Sequence, residues 1–312
     1  MKSSLAIDPV SCSALSESAG NTVSFSVDCD GIQDYRNFAP PGSVLPEDRW
    51  TYRVWLPAMA DIFSRLGIRA TFFCIAERLN DPHARAFFER AVGQGHVIGN
   101  HTLTHPVMAA LDDDGIRKEV EAGHTTIEKI LGVSPKGYRA PAYHVTGQTL
   151  QVLSELGYSY DSSVFNSLLG RLSLIGLRLL RRDYRHGGIG DLHNRFHGQG
   201  PWNITVNGGK QLWEWAIPSA LGLGFYGTQH TVLPRAFFYA QAALLLRQGK
   251  HVHYELHPIE LAAADAMSTV PWLPTVSMKY YCGHRDPVEW LEERLGVLVR
   301  NRKVVTLEEL ST

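Results

Sequence analysis

The first regular pattern along the chain is a strict alternation of apolar and polar residues over Thr22–Val27. A period of two residues predicts a β-strand. Short apolar runs follow at Ala70–Ile75 and His96–Ile98, and they are separated by stretches of helical period at Trp50–Leu66 and Pro82–Gly93. This recurring unit of strand, loop and helix predicts an α/β protein with a parallel sheet, which can close into a barrel.

The rhythm is interrupted over Phe165–Gly200, which is rich in Leu, Arg and Gly and follows neither period. We therefore expect an insertion near residues 165–212 within one domain that spans residues 21–312. Met1–Gly20 is dominated by Ser and Ala and lacks the apolar core of an export signal, so a flexible leader is expected over residues 1–20.

Composition excludes several classes of protein. The 312 residues are 44% hydrophobic and 20% charged, with a formal net charge of −1. These values are close to globular averages, so disorder is not expected, and a balanced charge gives no reason to expect nucleic acid as a partner. Four scattered cysteines without a CxxC pair favour free thiols in a reducing compartment. Because no run of about 18 apolar residues occurs, we expect a cytoplasmic protein.

Two histidines, His101 and His105, form the strongest chemical signal. Residues four apart lie on the same side of a helical turn, where two imidazoles can share one metal ion. Histidines that are exposed or hydrogen-bonded within the fold are the alternative. A divalent ion held by two imidazoles usually takes a carboxylate as its third ligand.

Asp28 and Asp30 supply such a carboxylate at the carboxyl end of the first predicted strand. This edge of an α/β sheet is where active residues collect. Two carboxylates this close resist being ionised together unless a cation compensates them. One of them can bind a metal while the other acts as a base toward water. The alternative is an Asp pair in an ordinary strand-to-loop turn.

Three later segments carry further candidates. Arg139 follows a short apolar strand and suits an ion pair with Asp28. Pro141 fixes the backbone after it, so an N–H there can stabilise an oxyanion. Asp161 offers a third acid, and His257 ends a predicted strand. A His paired with an Asp can donate a proton near neutral pH. Structural roles remain the alternative for each.

Taken in order, these segments resemble the five motifs of the polysaccharide deacetylase family, the NodB-homology domain of carbohydrate esterases. The resemblance covers about Thr22–Glu260. The first motif departs from the TFDDG pattern because one residue separates the acids, and the third has an inserted alanine. The motifs correspond to Ser26–Gly31, His101–His105, Arg139–Tyr143, Asp161 and Glu255–His257.

The resemblance implies a distorted (β/α) barrel with fewer than eight complete units. It also implies a divalent metal, with zinc favoured, on Asp30, His101 and His105. Asp28 would then be the general base and His257 the general acid.

The same resemblance implies supporting roles for other residues. Arg139 would orient Asp28, and Asp161 would tune His257. The oxyanion donor would be the backbone N–H of either Ala142 or Tyr143, because the inserted alanine leaves both open.

The resemblance favours hydrolysis of an N-acetyl or similar acyl group on an amino sugar or glycan. Aromatic residues around Trp213 can stack on sugar rings, although packing in the core is the favoured explanation. Residues 168–185 place arginines beside leucines, a pattern that suits either an anionic membrane surface or an insertion with solvated arginines. With membrane contact at the inner face, a lipid-linked amino sugar becomes a candidate substrate.

Two other functions remain open from the sequence. The same chemistry would serve a metal-dependent amidase that acts on a small non-carbohydrate amide or imide. A retired barrel that binds a ligand without turnover is the third possibility, and the intact acid and histidine set argues against it.

Overall fold

The computed structural model describes residues 6–8, 20–38, 42, 44–165, 201–206, 210–262 and 286–312. Its strands are β1 (Ala6–Asp8), β2 (Thr22–Asp28), β3 (Thr71–Cys74), β4 (Val97–Asn100), β5 (Gly137–Tyr138), β6 (Tyr160–Asp161), β7 (Trp202–Val206), β8 (Lys210–Glu214), β9 (Ser219–Ala220), β10 (Leu223–Gly224), β11 (Val252–Leu256) and β12 (Lys303–Val304). Its α-helices are α1 (Leu56–Arg65), α2 (Pro82–Gly93), α3 (Asp113–Leu131), α4 (Gly147–Glu155), α5 (Gly227–Val232), α6 (Arg235–Leu246), α7 (Pro287–Val299) and α8 (Leu307–Ser311).

One curled sheet forms the centre of the molecule. Its order is β1-β7-β8-β6-β5-β4-β3-β2-β11, and β12 also pairs with β2. The run from β8 to β11 is parallel, whereas β7 and β1 are antiparallel additions at one edge. The predicted fold class, a distorted (β/α) barrel, is confirmed.

Strand β2 shows why the alternating pattern produces this barrel. Its apolar residues face the helices, as in the contact between Phe25 and Phe63 of α1, whose ring centroids lie 6.4 Å apart. Its serines face the barrel interior, where Ser24 and Ser26 hydrogen-bond to His253. All seven residues of the strand are buried, so its apolar side chains join the outer layer and its serines the interior.

Helix ends follow local capping rules. Helix α2 begins at Pro82, and the Asp81 side chain accepts the N–H of His83. Helix α3 begins after Asp112, which caps it in the same way, and ends at Gly132 with a φ of +70°. These are the residues that favour helix starts and stops. The predicted helix over Pro82–Gly93 therefore matches the observed bounds.

Two segments differ from the sequence expectation. Strand β1 lies inside the expected leader and pairs with β7, with Ile7 opposite Ile204. Strand β7 lies inside the expected insertion, and β8 begins at its end and continues the parallel sheet beside β6. Both pairings join segments far apart in the chain, so local periodicity could not reveal them.

The segment expected to contact a membrane, residues 168–185, lies outside the described residues. Within the part of the chain that the structure describes, no helix is long and apolar enough to cross a membrane. The two cysteines among those residues, Cys29 and Cys74, are buried free thiols.

A pair of glycine substitutions tests the packing that supports the site. A Cβ on Gly137 of β5 would lie 2.0 Å from Cζ of Tyr160, whereas a Cβ on Gly296 of α7 would meet no atom within 4 Å. Gly137→Ala should therefore lower the free energy of unfolding by about 2 kcal/mol or more through overpacking. Gly296→Ala should raise it by up to about 1 kcal/mol because alanine favours helix. Urea unfolding of both variants measures this, and equal effects would contradict the packing described.

Candidate active site

The predicted site residues come together because parallel strands end at one edge of the barrel. Asp28 is the last residue of β2, His101 follows β4, Arg139 follows β5 and His257 follows β11. The register continues from strand to strand, so that Asp28 lies beside Phe73 and Asn100 beside Tyr138. Side chains from distant parts of the chain therefore meet above the barrel interior.

The two histidines of the second motif converge through a loop and not through a helical turn. Thr102 and His105 have φ values of +70° and +56°, which turn the chain sharply. The Asn100 side chain accepts the N–H of Thr102 at 2.9 Å, and the Thr102 hydroxyl accepts the N–H of His105 at 3.1 Å. The predicted proximity is therefore present, but the helical reason for it was wrong.

Three side chains form a donor set that can hold a divalent metal ion: Asp30, His101 and His105. Asp30 Oδ1 lies 3.4 Å from His101 Nε2 and 3.5 Å from His105 Nε2. These separations are close to the edge of about 3.4 Å in a tetrahedral zinc site with bonds of 2.0–2.1 Å. Asp30 Oδ1 is buried, and no described residue hydrogen-bonds to it.

The tautomer of His101 suits this role. Its Nδ1 lies 2.7 Å from the carbonyl oxygen of Arg139, which can only accept a hydrogen bond. Nδ1 therefore carries a proton, and the lone pair of Nε2 is free to bind a metal ion held beside Asp30, which is the usual arrangement of a metal-binding histidine. Burial would raise the pKa of Asp30, but attraction to His105 and His101 outweighs it and lowers that pKa.

The guanidinium of Arg139 holds Asp28 in a fixed orientation. Arg139 Nη1 donates to Asp28 Oδ1 at 2.6 Å, and both side chains are buried. The other donors of the guanidinium reach Ser26 Oγ, His253 Nε2 and both oxygens of Ser162. All five N–H groups of this fully buried arginine therefore have partners. Asp28 Oδ2 is left facing His101 and His257, 3.9 Å from each Nε2.

A third buried carboxylate, Glu255, lies beside this pair and was missed as a site residue. It accepts the hydroxyl of Tyr143, and its Oε1 lies 3.7 Å from Arg139 Nη1. Burial raises the pKa of Glu255, and neighbouring Asp28 raises it further. With Asp30 included, three carboxyl groups face one guanidinium, and a divalent ion beside Asp30 would offset their negative charge.

A second donor set is formed by Asp28, Glu255 and His257. Arg139 already lies 2.6 Å from Asp28 and 3.7 Å from Glu255. This cation compensates the two carboxylates and would repel a metal ion beside them. The set around Asp30 is therefore the better metal site.

The structure corrects the predicted partner of His257. Ser162 directs its hydroxyl toward Arg139, on the inner face of the sheet. The side chain of Asp161, one residue earlier, therefore lies on the other face and does not contact His257. Asp161 instead accepts the hydroxyl of Ser163 at 2.5 Å and lies beside Glu214, whose Oε1 accepts the N–H of Val164. Asp161 and Glu214 are both buried. Burial raises the pKa of both, that of Asp161 to about 6.

The conformation of the segment after Arg139 narrows the choice of the backbone N–H that would stabilise the oxyanion. Ala142 and Tyr143 have φ values of +51° and +58°, a strained conformation of the kind found at functional sites. The N–H of Tyr143 is already donated to the Ala140 carbonyl at 2.9 Å. Ala142, whose side chain is exposed, is therefore the better candidate of the two.

Trp213 does not lie where a substrate could reach these groups. Its ring packs 6.2 Å from that of Trp215, in a cluster with Leu307 and Leu310 of the C-terminal helix. The aromatic residues near Glu255 are Tyr143 and Phe165, stacked at 5.4 Å, with Tyr226 edge-on to Phe165 at 5.3 Å. The core explanation of Trp213 is therefore the one that its contacts support.

A family comparison covers the central part of the chain. Residues 47–160 match the model of the polysaccharide deacetylase family. The central part of the chain is therefore similar to polysaccharide deacetylases. The match includes the histidine loop and Arg139, whereas Asp28, Asp30 and His257 lie outside its bounds.

Curated members of this family are similar over about a third of the chain. A peptidoglycan-N-acetylglucosamine deacetylase of Bacillus cereus is 28% identical over 102 residues, which are 33% of this chain and 36% of the relative. A chitin deacetylase of Pestalotiopsis sp. is 32% identical over 111 residues, which are 35% of this chain and 37% of the relative. The chain thus spans little more than a third of the length of these relatives.

Solved structures share the fold over almost the whole chain. A Mycobacterium smegmatis structure assigned as a polysaccharide deacetylase has a TM-score of 0.61 at 18% identity and covers 94% of this chain and 90% of that one. A CE4-family pseudoenzyme from Bacillus anthracis has a TM-score of 0.50 at 12% identity and covers 94% and 66%. Because a pseudoenzyme shares the fold, the site and not the fold must decide activity.

The buried Asp161–Glu214 pair predicts a pH-dependent stability. The pKa of Asp161 is raised to about 6 in the folded protein, above the value near 4 in an unfolded chain. Its contribution to stability is therefore fully present below about pH 4 and is lost as the pH rises through 6, a loss of about 2–3 kcal/mol. In Glu214→Gln one of the two carboxyl groups with a raised pKa can no longer titrate, so this decline should shrink.

Urea unfolding between pH 3 and pH 7 measures that difference. Glu128→Gln, at an exposed position on α3, is the matched control and should decline as the wild-type protein does. A Glu214→Gln variant with an unchanged decline would show that Glu214 does not contribute to the pH dependence of stability.

Proposed function

We propose that the protein hydrolyses the N-acyl group of an amino sugar with the help of a divalent metal, for which zinc is the best candidate. The observation that carries this proposal is the convergence of Asp30, His101 and His105 beside an oriented second aspartate, Asp28. Two imidazoles and one carboxylate are a common ligand set for catalytic zinc, which keeps its remaining positions for water and substrate. When bound, such an ion would polarise the amide carbonyl and make the attacking water more acidic.

Asp28 is placed to take a proton from that water. Its Oδ1 is held by Arg139, so the lone pairs of Oδ2 remain available toward the metal ligands, 3.9 Å from His101 Nε2. The ion pair also fixes the orientation of Asp28, which a general base requires.

His257 is placed to give a proton to the leaving amine. Its Nε2 lies 3.9 Å from Asp28 Oδ2 and 4.0 Å from Asp30 Oδ2, across the site from His101. An amine is a poor leaving group unless it is protonated, so amide hydrolysis needs such a donor. The N–H of Ala142 can stabilise the negative charge that develops on the carbonyl oxygen.

The substrate class comes from the curated relatives. Their names specify peptidoglycan N-acetylglucosamine and chitin, both polymers of N-acetylated amino sugars. An N-acetylated amino sugar or glycan is accordingly the proposed substrate class. A lipid-linked sugar and a cytoplasmic location are further proposals that rest on the sequence alone.

The assignment of Asp28 as base predicts the behaviour of Asp28→Asn. The amide keeps the shape but cannot accept the proton, so acetate release should fall by about 10²–10⁴-fold. Metal content measured by mass spectrometry should remain near that of the wild-type protein, since Asp30 and both histidines are intact. Acetate release from a panel of N-acetylated sugars, free and lipid-linked, with zinc or cobalt added, is the assay.

Asp61→Asn on α1, where the side chain is exposed, is the matched control and should leave activity unchanged. Wild-type-like activity in Asp28→Asn would remove Asp28 from the base role. Wild-type protein that binds metal but releases an acid only from small non-carbohydrate amides or imides would favour the amidase. Wild-type protein without stoichiometric metal or turnover would favour a binding protein.

A further inference from the structure

The imidazole of His257 is held at its Nδ1 by a residue that no motif includes. Nδ1 lies 3.2 Å from the hydroxyl oxygen of Thr228, near the start of α5. The opposite nitrogen, Nε2, faces the carboxylates of the site. Thr228 is thus placed to set the angle at which His257 presents Nε2.

A buried carboxylate, Glu260, connects Thr228 to the backbone of His257. Its Oε1 accepts the N–H of His257 at 2.8 Å and the hydroxyl of Thr228 at 3.5 Å. Glu260 therefore contacts both the main chain of the histidine and the residue that holds its ring.

A buried arginine, Arg294 of α7, fixes Glu260 in turn. Arg294 Nη2 lies 3.2 Å from Glu260 Oε2, and both side chains are fully buried. Arg294 Nη1 donates to the Gly227 carbonyl and the Tyr254 hydroxyl, each at 2.9 Å. A buried ion pair is costly to desolvate and is kept only where its geometry is well satisfied.

Gly227 leaves the space that this carboxylate occupies. A Cβ on this residue would lie 2.2 Å from Glu260 Oε2 and 2.4 Å from Oε1. A larger residue would displace the carboxylate, and with it the partner of Thr228.

The contacts of Thr228 link the ring of His257 to the buried ion pair. The Thr228 hydroxyl donates to Glu260 Oε1, and its oxygen lies within hydrogen-bond distance of His257 Nδ1. With Nδ1 held in this way, Nε2 faces the carboxylates of the site, where it can give a proton to the leaving group. We propose that Thr228, held by Glu260 and Arg294, is the positioning residue for His257. It would take the role that the family resemblance implied for Asp161.

This inference rests on the proposed function, in which His257 protonates the leaving amine. Thr228→Val keeps the branched shape but removes the hydroxyl. It should lower kcat on an N-acetylglucosamine oligosaccharide by about 10–100-fold, the usual effect of removing a residue that orients a ligand or catalytic group. KM should stay within about twofold, and Thr228→Ser should restore most of the loss.

A leaving group that needs no proton separates positioning from general damage. The same variants are assayed on p-nitrophenyl acetate, whose nitrophenolate leaves unprotonated. Thr228→Val should lose much less activity on this ester than on the sugar amide. Thr231→Val is the matched control, because Thr231 lies on the same helix and its hydroxyl bonds only to the Thr228 carbonyl among the described residues.

Equal losses of Thr228→Val on the amide and the ester, or no loss on either, would overturn the inference. Wild-type protein that hydrolyses neither substrate would instead contradict the proposed function. Thermal unfolding of each variant checks that only folded proteins are compared. Failure of Thr228→Ser to recover activity would also contradict a role for the hydroxyl.

Discussion

The buried guanidinium of Arg139 is the constraint on which the site depends. A charge without solvent must have its donors satisfied, and here five acceptors from β2, β6, β11 and their ends surround it. One of these acceptors is Asp28, and its orientation is fixed because the buried guanidinium needs it as a hydrogen-bond partner. The carbonyl of Arg139 also fixes the tautomer of His101, so one residue orients groups on both sides of the candidate metal position.

The polar interior of the barrel follows from the same constraint. Ser24, Ser26 and His253 form a hydrogen-bonded column that reaches Arg139, while the opposite faces of their strands pack on the helices. Three carboxyl groups, those of Asp28, Asp30 and Glu255, lie at the top of this column beside one guanidinium. A divalent ion would offset their negative charge and so lower the cost of burying them.

The sequence predicted the fold and most of the chemical groups because both follow local rules. The alternation at Thr22–Val27 and the helical periods indicate which residues are buried. Acids or histidines at the ends of predicted strands indicate which edge of the sheet carries the active site. What failed depended on details that local patterns do not carry. Asp161 lies one residue out of phase with the interior face, and the turn at His105 depends on positive φ values. Glu255 lies two residues after His253 on the same strand, so the alternation of the strand could have predicted that its side chain faces inward. Thr228, in contrast, is brought to the site only by tertiary packing.

The most direct test of the account is the position of the metal. Crystals grown with zinc should be measured on both sides of the zinc absorption edge. The account predicts one anomalous peak coordinated by the Asp30 carboxylate and by Nε2 of His101 and His105. A peak coordinated by Asp28, Glu255 and His257 instead, or a fully zinc-loaded protein with no peak beside Asp30, would contradict it.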